Sequence, residues 1–384
     1  MRVAFCMLRS AIDRRDGGAE SIRNLTEGLR AIAGMEINVV SSSGSYPGHR
    51  SYAPYPWQDS KAISLIGHFY RMIRSVAIDH DLVVLVLPNP AFGYLGDVIK
   101  RRVKKPVLVN YESRWHTPAK YSFGGDNLAW KNLGRMIAFN KITSSFSRRL
   151  CDRYIVSTQF QKNELINVGY DPNKVSAISN CTNISRYRFK NESNRRKTLC
   201  DTIIYLGHFN HSKGIDILIQ AMPSILNHLP NTKLSLIWHS GGREYVRIVK
   251  LIKLYGLINH IHFINKIVDV SETLSQAGVL ALPYRSLSKT RIIPSVLLEA
   301  FSVGIPLVVS DCEPIKEVVH DGQTGVIVPV DDPEAVGRGV IELLENKALR
   351  EQMIQSQREM AKVSFSHIVI AKKYKDIFME VLNG

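Results

Sequence analysis

Short apolar runs alternate with amphipathic segments along this chain, and the series occurs twice. In the first half VAFCML (3–8), INVV (37–40), LVVLVL (82–87), PVLVNY (106–111), RYIVS (153–157) and KVSAI (174–178) predict strands. In the second half TIIYLG (202–207), KLSLIW (233–238), IHFI (261–264), GVLALP (278–283), PLVVS (306–310) and GVIVP (325–329) do the same. Between the first two strands, Ile22, Leu25, Leu29 and Ile32 recur at helical spacing within 19–33. Continuous apolar runs separated by helices predict parallel sheets covered on both faces. The two series therefore predict two doubly wound α/β domains, residues 1–185 and 201–365. The linker between them, 186–200, reads RYRFKNESNRRKTLC and lacks apolar periodicity. A last helix within 366–384 has apolar positions suited to packing on a neighbour and is expected to cross back to the first domain. The stretch 43–60, rich in Ser, Gly, Pro and aromatics, predicts a binding loop.

Composition narrows the class. The 384 residues are 45% hydrophobic and 22% charged, a globular profile. No apolar run reaches the roughly 18 residues that span a bilayer, and only six apolar residues separate Arg2 from Arg9, short for a secretory signal. A cytoplasmic location, peripheral to the inner face of the membrane, is the expectation. Cys6, Cys151, Cys181, Cys200 and Cys312 are odd in number without metal-ligand spacing, and are expected as thiols in a reducing compartment. The net charge of +16 is one-sided: residues 1–200 carry 31 Lys and Arg against 15 Asp and Glu, residues 201–384 carry 19 against 19. An anionic membrane surface, a phosphate-bearing acceptor and nucleic acid all fit such a basic half, as does a surface tuned for solubility. No recognisable nucleic-acid-reading motif accompanies the charge, so no nucleic-acid partner is expected. The segment 131–150 reads as a basic amphipathic helix, with Leu133, Ile137 and Ile142 on its apolar side, able to lie on anionic lipid or to bury that side in the fold.

Three places could carry chemistry. Gly17-Gly18 lies where the first strand turns into the first helix, where bare backbone and a helix N-terminus favour phosphate; a plain turn is the alternative. In the second half, His208 and Lys213 lie between strand and helix, with Lys213 beside the helix start at Gly214, a setting for a diphosphate or for a solvated turn. In SVLLEAF, Glu299 stands among Val296, Leu297, Leu298, Ala300 and Phe301 on a helix whose first turn suits Pro294. A carboxylate in such company needs hydrogen bonds, and ribose hydroxyls would supply them.

These segments resemble the retaining, group 1 (family 4) glycosyltransferases. YLGHFNHSKGIDILIQAM looks like that family's G-R-x-x-x-x-K-G segment, LLEAFSVGIPLVVSD its L-E-A-x-x-x-G-x-P-V-V-x-S, and HDGQTGVIVPVDDPEAV its D-G-x-x-G-x-L-V-x-x-x-D-x-x-x-L. CDRYIVSTQFQKNELINVGYDPNKVSAISNCTN (151–183) resembles the stretch closing the first domain. The resemblance implies the GT-B fold, two Rossmann-like domains facing each other across a cleft, and transfer of a sugar from a nucleotide-sugar, with uridine the expected base, with retention. It implies Glu299 on the donor ribose, Lys213 on its diphosphate, Gly17 and Gly18 over the phosphates, Ser295 and Val296 approaching them from a helix start, and the base near Asn265, Lys266 and Ile267. No metal or other cofactor is implied, and no Asp-x-Asp motif is present. Three departures stand out. His208 replaces the usual arginine, and Arg291 the first of two paired glutamates; with Lys289 it is a candidate to supply the missing cation. His116 is the nearest candidate for the first-domain histidine, with Glu112 as rival.

The expected catalytic group is thus Lys213, His208, Arg291 and His116, stabilising charge on the leaving diphosphate. A lipid-linked acceptor in surface-polysaccharide or glycolipid assembly is the leading expectation. A small soluble acceptor of aminoglycoside type and a sugar-nucleotide epimerase on a similar scaffold are the alternatives.

Overall fold

The structure, a computed structural model, describes residues 1–7, 17–41, 62–87, 90, 93–112, 150–187, 201–237, 243–264, 269–287 and 292–384. They form two units, Met1–Cys181 with His367–Gly384, and Thr182–Ser366.

The first unit is built on strands β1 (Arg2–Met7), β2 (Glu36–Ser41), β3 (Leu82–Leu87), β4 (Val107–Tyr111), β5 (Arg153–Val156) and β6 (Val175–Ala177). They lie in the order β2-β1-β3-β4-β5-β6, and each pairing is parallel. Helices α1 (Gly17–Arg30), α2 (Ala62–Asp79), α3 (Gly93–Arg102) and α4 (Gln159–Asn167) connect them, and α12 (His367–Asn383) returns from the end of the chain. All six residues of β3 are buried, because each face of the sheet is covered. Val83, Leu85 and Leu87 pack with Ile73 and Val76 of α2 and Leu95 and Ile99 of α3. Leu82, Val84 and Val86 pack with Ile22, Leu25 and Leu29 of α1 and with Tyr374 and Phe378 of α12. That is the two-residue strand period sorting one apolar run into two cores. The α1–α12 crossing is close: a Cβ on Gly28 would lie 2.3 Å from the His367 carbonyl oxygen.

The second unit repeats the plan with β7 (Thr202–Leu206), β8 (Lys233–Ile237), β9 (Ile261–Ile264), β10 (Val279–Leu282), β11 (Leu307–Ser310) and β12 (Val326–Val328). Its helices are α5 (Ile215–His228), α6 (Arg243–Leu254), α7 (Val270–Ser275), α8 (Ser295–Val303), α9 (Glu313–Lys316), α10 (Pro333–Glu345) and α11 (Lys347–Met360). The strand order is β9-β8-β7-β10-β11-β12, all parallel. Counted within the unit this is the 3-2-1-4-5-6 order of dinucleotide-type sheets. Leu280 and Leu282 of β10 face a core with α8, whereas Val279 and Ala281 face one with α5 and α10.

Several predicted bounds move, for local reasons. The strands begin after Pro106 and Pro306 and end before Pro283 and Pro329, since proline brings no N–H to a ladder. Gly17 and Gly18 are the first two residues of α1, not loop residues ahead of it. Pro294 caps α8 from outside its first turn. The chain passes between units at Cys181–Thr182, and Tyr187 already packs in the second core. Residues 188–200, the 43–60 loop and the basic segment 131–150 lie outside the described residues. Cys6, Cys151, Cys181 and Cys312 are thiols. Among the described residues no helix is long and apolar enough to cross a membrane.

Candidate functional site

In the second unit the sheet reverses direction of winding between β7 and β10, which pair directly. A crevice outside the carboxyl ends of two such strands is where doubly wound sheets take ligands. The loops leaving these two strands carry the residues of interest.

After β7 the chain forms a single helical turn, His211–Lys213, and Gly214 then caps α5. Gly214 has φ +66, and a Cβ there would lie 1.8 Å from the Pro283 carbonyl oxygen. Only glycine lets the loop after β7 press this closely on the loop after β10. The two are also laced by backbone: the N–H groups of Arg285 and Ser286 both donate to the Ser212 carbonyl, at 2.9 and 3.2 Å.

The contact buries Lys213, which is 8% exposed rather than solvated in a turn. Its Nζ stands 4.3 Å from the centroid of the Tyr284 ring, within cation–π range. Burial pulls its pKa down to about 8. Glu299 is half-buried one turn into α8, and the Tyr187 hydroxyl donates to its Oε1 at 3.4 Å. Tyr284 is fully buried and its phenol is pushed up, first by burial, then by the neighbouring Cys312 and Glu299 charges. Ser295 and Val296 form the first turn of α8, both half-buried, with no side-chain cap at Pro294.

A second set of charges braces the loop. Asp216, in the first turn of α5, is 2% exposed and accepts from Arg285 at 2.7 Å and Arg247 at 2.6 Å. Burial works to raise its pKa, but the two guanidinium groups outweigh it and hold the carboxyl below its usual range. Arg285 also donates to the His211 carbonyl at 3.0 Å and pairs with Asp331. Sequence reading passed over Tyr284, Arg285 and Asp216. Tyr284 and Arg285 directly follow a predicted strand, and Asp216 stands in the first turn of a predicted helix, but no motif marks any of the three.

Two family models divide the chain between them. The one described as glycosyl transferases group 1 matches residues 185–360, and the one described as glycosyltransferase family 4 matches residues 15–186. The chain belongs to the group 1 glycosyltransferases. It is 24% identical over 383 residues to the phosphatidyl-myo-inositol mannosyltransferase of Mycobacterium leprae, covering 95% of this chain and 93% of that protein. Among solved structures, sucrose-phosphate synthase from Thermosynechococcus elongatus superposes with a TM-score of 0.79 at 19% identity, covering all of both chains. Anabaena HepE in complex with UDP-glucose does so at 0.78 and 15%, covering 99% of this chain and 100% of that one. The fold of the glycosyltransferase is accordingly GT-B, two Rossmann-like domains each carrying a parallel sheet of six strands.

Within the glycosyltransferase, Lys213 meets the ring of Tyr284, and Glu299 stands on α8, the helix that Ser295 and Val296 open. His208 lies two residues beyond β7, exposed, its carbonyl accepting from the Tyr205 hydroxyl at 3.2 Å. Gly17 and Gly18 belong to the first unit, where they open α1. Arg291, Lys289, His116, Asn265, Lys266 and Ile267 lie outside the described residues. Glu112 directly follows β4 and is half-buried.

Proposed function

We propose that the glycosyltransferase takes a UDP-linked sugar and transfers it, with retention of anomeric configuration, to a lipid-linked acceptor in glycolipid or surface-polysaccharide assembly. The observation that carries this is a desolvated cation, Lys213, held against the Tyr284 ring at the switch point of the second sheet, with a half-buried carboxylate, Glu299, one turn into α8. A nucleotide diphosphate sugar needs both: a cation for the diphosphate and an acceptor for ribose hydroxyls. In this reading Lys213 neutralises charge that grows on the leaving diphosphate as the sugar–oxygen bond breaks. An ammonium already stripped of water acts there without reorganisation. The first turn of α8, at Ser295 and Val296, adds its N-terminal dipole, and Glu299 holds the ribose. His208 and Arg291 are assigned to the same diphosphate and His116 to the sugar side. Those three roles, and the role of Gly17 and Gly18 over the phosphates, follow the family resemblance alone.

A UDP donor is supported by the solved structure of HepE with UDP-glucose. A lipid acceptor at an anionic membrane surface is supported by the mannosyltransferase relative's name and by the basic first half. A small soluble acceptor is the runner-up.

Thermal unfolding with a panel of nucleotide sugars tests the donor site. A donor present at 100 times its Kd stabilises by about 2.7 kcal/mol, so Tm should rise with the right nucleotide. Lys213→Ala and Glu299→Ala should each lose most of that rise. Two variants that respond like the wild type would show that the donor binds elsewhere.

A further inference from the structure

We propose that Tyr284 is a positioning residue of this enzyme, whose ring face holds the Lys213 side chain in place as a cation above the switch point. The inference rests on the donor reading above for its place in catalysis, but the coupling of the two side chains stands on geometry.

Lys213 is the last residue of a single helical turn. The segment leaving β10 packs against that turn. Pro283 seats Gly214, Tyr284 lies beneath the ammonium, and Arg285 ties Ser212, His211 and Asp216 into one network. Three consecutive residues of one loop thus hold the other from three directions. Tyr284 is itself immobilised. It has no exposed surface, and its carbonyl accepts from the Cys312 thiol at 3.4 Å. Among the described residues, the titratable groups that act on the Tyr284 phenol are Cys312 after β11, Glu299 of α8 and Tyr205 of β7, and the Arg285–Asp216 ion pair lies on the same two loops.

The phenol hydroxyl has no hydrogen-bond partner among the described residues. Desolvation alone drives a lysine toward neutrality. The electron-rich ring face opposes this by attracting the ammonium more than the amine. The ring so keeps a cation in a dry site where water would otherwise be needed.

Trace acetylation of Lys213 in the full-length enzyme, quantified by mass spectrometry across pH, reads its ionisation without any donor. Wild type should show a midpoint of about 8, and Tyr284→Phe, which keeps the ring, should match it. Tyr284→Leu should move the midpoint down by about one pH unit. The high-pH limb of kcat/KM for the UDP-sugar should move with it, while near-ultraviolet circular dichroism confirms a folded protein. A midpoint in Tyr284→Leu that is unchanged or higher overturns the proposal, as does Tyr284→Phe behaving like Tyr284→Leu. If the midpoints shift as expected but no UDP-sugar protects Lys213 from acetylation, the donor reading fails and the coupling of the two side chains stands.

Discussion

Asp97 shows how much one residue's meaning depends on what lies around it. It occupies α3, on a stretch whose sequence, GYLGDVIKRR, reads as an ordinary charged helix. The fold leaves it 4% exposed, with Oδ1 near the Cys151 thiol at 3.9 Å and Oδ2 without a partner among the described residues. Burial raises its pKa to about 7, against the lowering pull of Arg101, the Cys151 hydrogen bond and Lys174. The sign follows directly. Below about pH 4 the carboxyl is neutral in both folded and unfolded chains and costs nothing. Between there and 7 the unfolded chain ionises while the folded one resists, so stability is lost as pH rises and the loss is complete above 7. Asp97→Asn should therefore leave stability near pH 4 little changed and raise it at pH 8 by roughly 2–4 kcal/mol. Urea unfolding at the two pH values reads the difference. Equal effects at both would mean the carboxyl is not held neutral. Lys213 carries the same lesson in reverse. Its identity was readable from the order of residues, but its burial was not, because the atoms that exclude water come from a loop some 70 positions away.

Among the elements, the strands were the easiest to read. The central ones, such as β3 and β10, are apolar runs buried throughout, and the proline at an end sets a bound that periodicity alone misses by one residue. The start of α5 is harder. Gly214 looks like any turn glycine, yet it combines a left-handed backbone with a contact that no side chain can share. Gly214→Ala adds the cost of a strained backbone, about 1–3 kcal/mol, to a forced separation of the loops after β7 and β10. The sum should reach at least about 3 kcal/mol in chemical denaturation of the second unit. A loss under 1 kcal/mol would show that the two loops separate easily and that Lys213 is less firmly held than its burial implies.

At the scale of the molecule, the last helix completes the first unit rather than the second. Ile370, Ala371, Tyr374, Ile377 and Phe378 fill the core face formed by Val3, Phe5 and α1, and Phe5 and Phe378 meet edge to face with centroids 6.3 Å apart. Arg153 reaches Glu380 at 2.6 Å on the same surface. Phe378→Ala should cost the first unit about 3–5 kcal/mol, although the residue lies at the far end of the sequence. Hydrogen exchange would report it as faster opening of β1 and α1. Loss of protection confined to the second unit would refute that assignment.

By itself the order of amino acids determined the two α/β series, all twelve strands of the described residues, the charge asymmetry and the family. Each of these is written in short-range periodicity or in short motifs. It also placed Lys213 and Glu299 near helix starts. Tertiary structure alone decided that β7 and β10 are neighbours, which core face α12 fills in the first unit, and that Tyr284, Arg285 and Asp216 brace the loop carrying the lysine. The physical reason is that strand neighbours and buried ion pairs depend on which distant segments exclude water from each other. No local pattern encodes that choice.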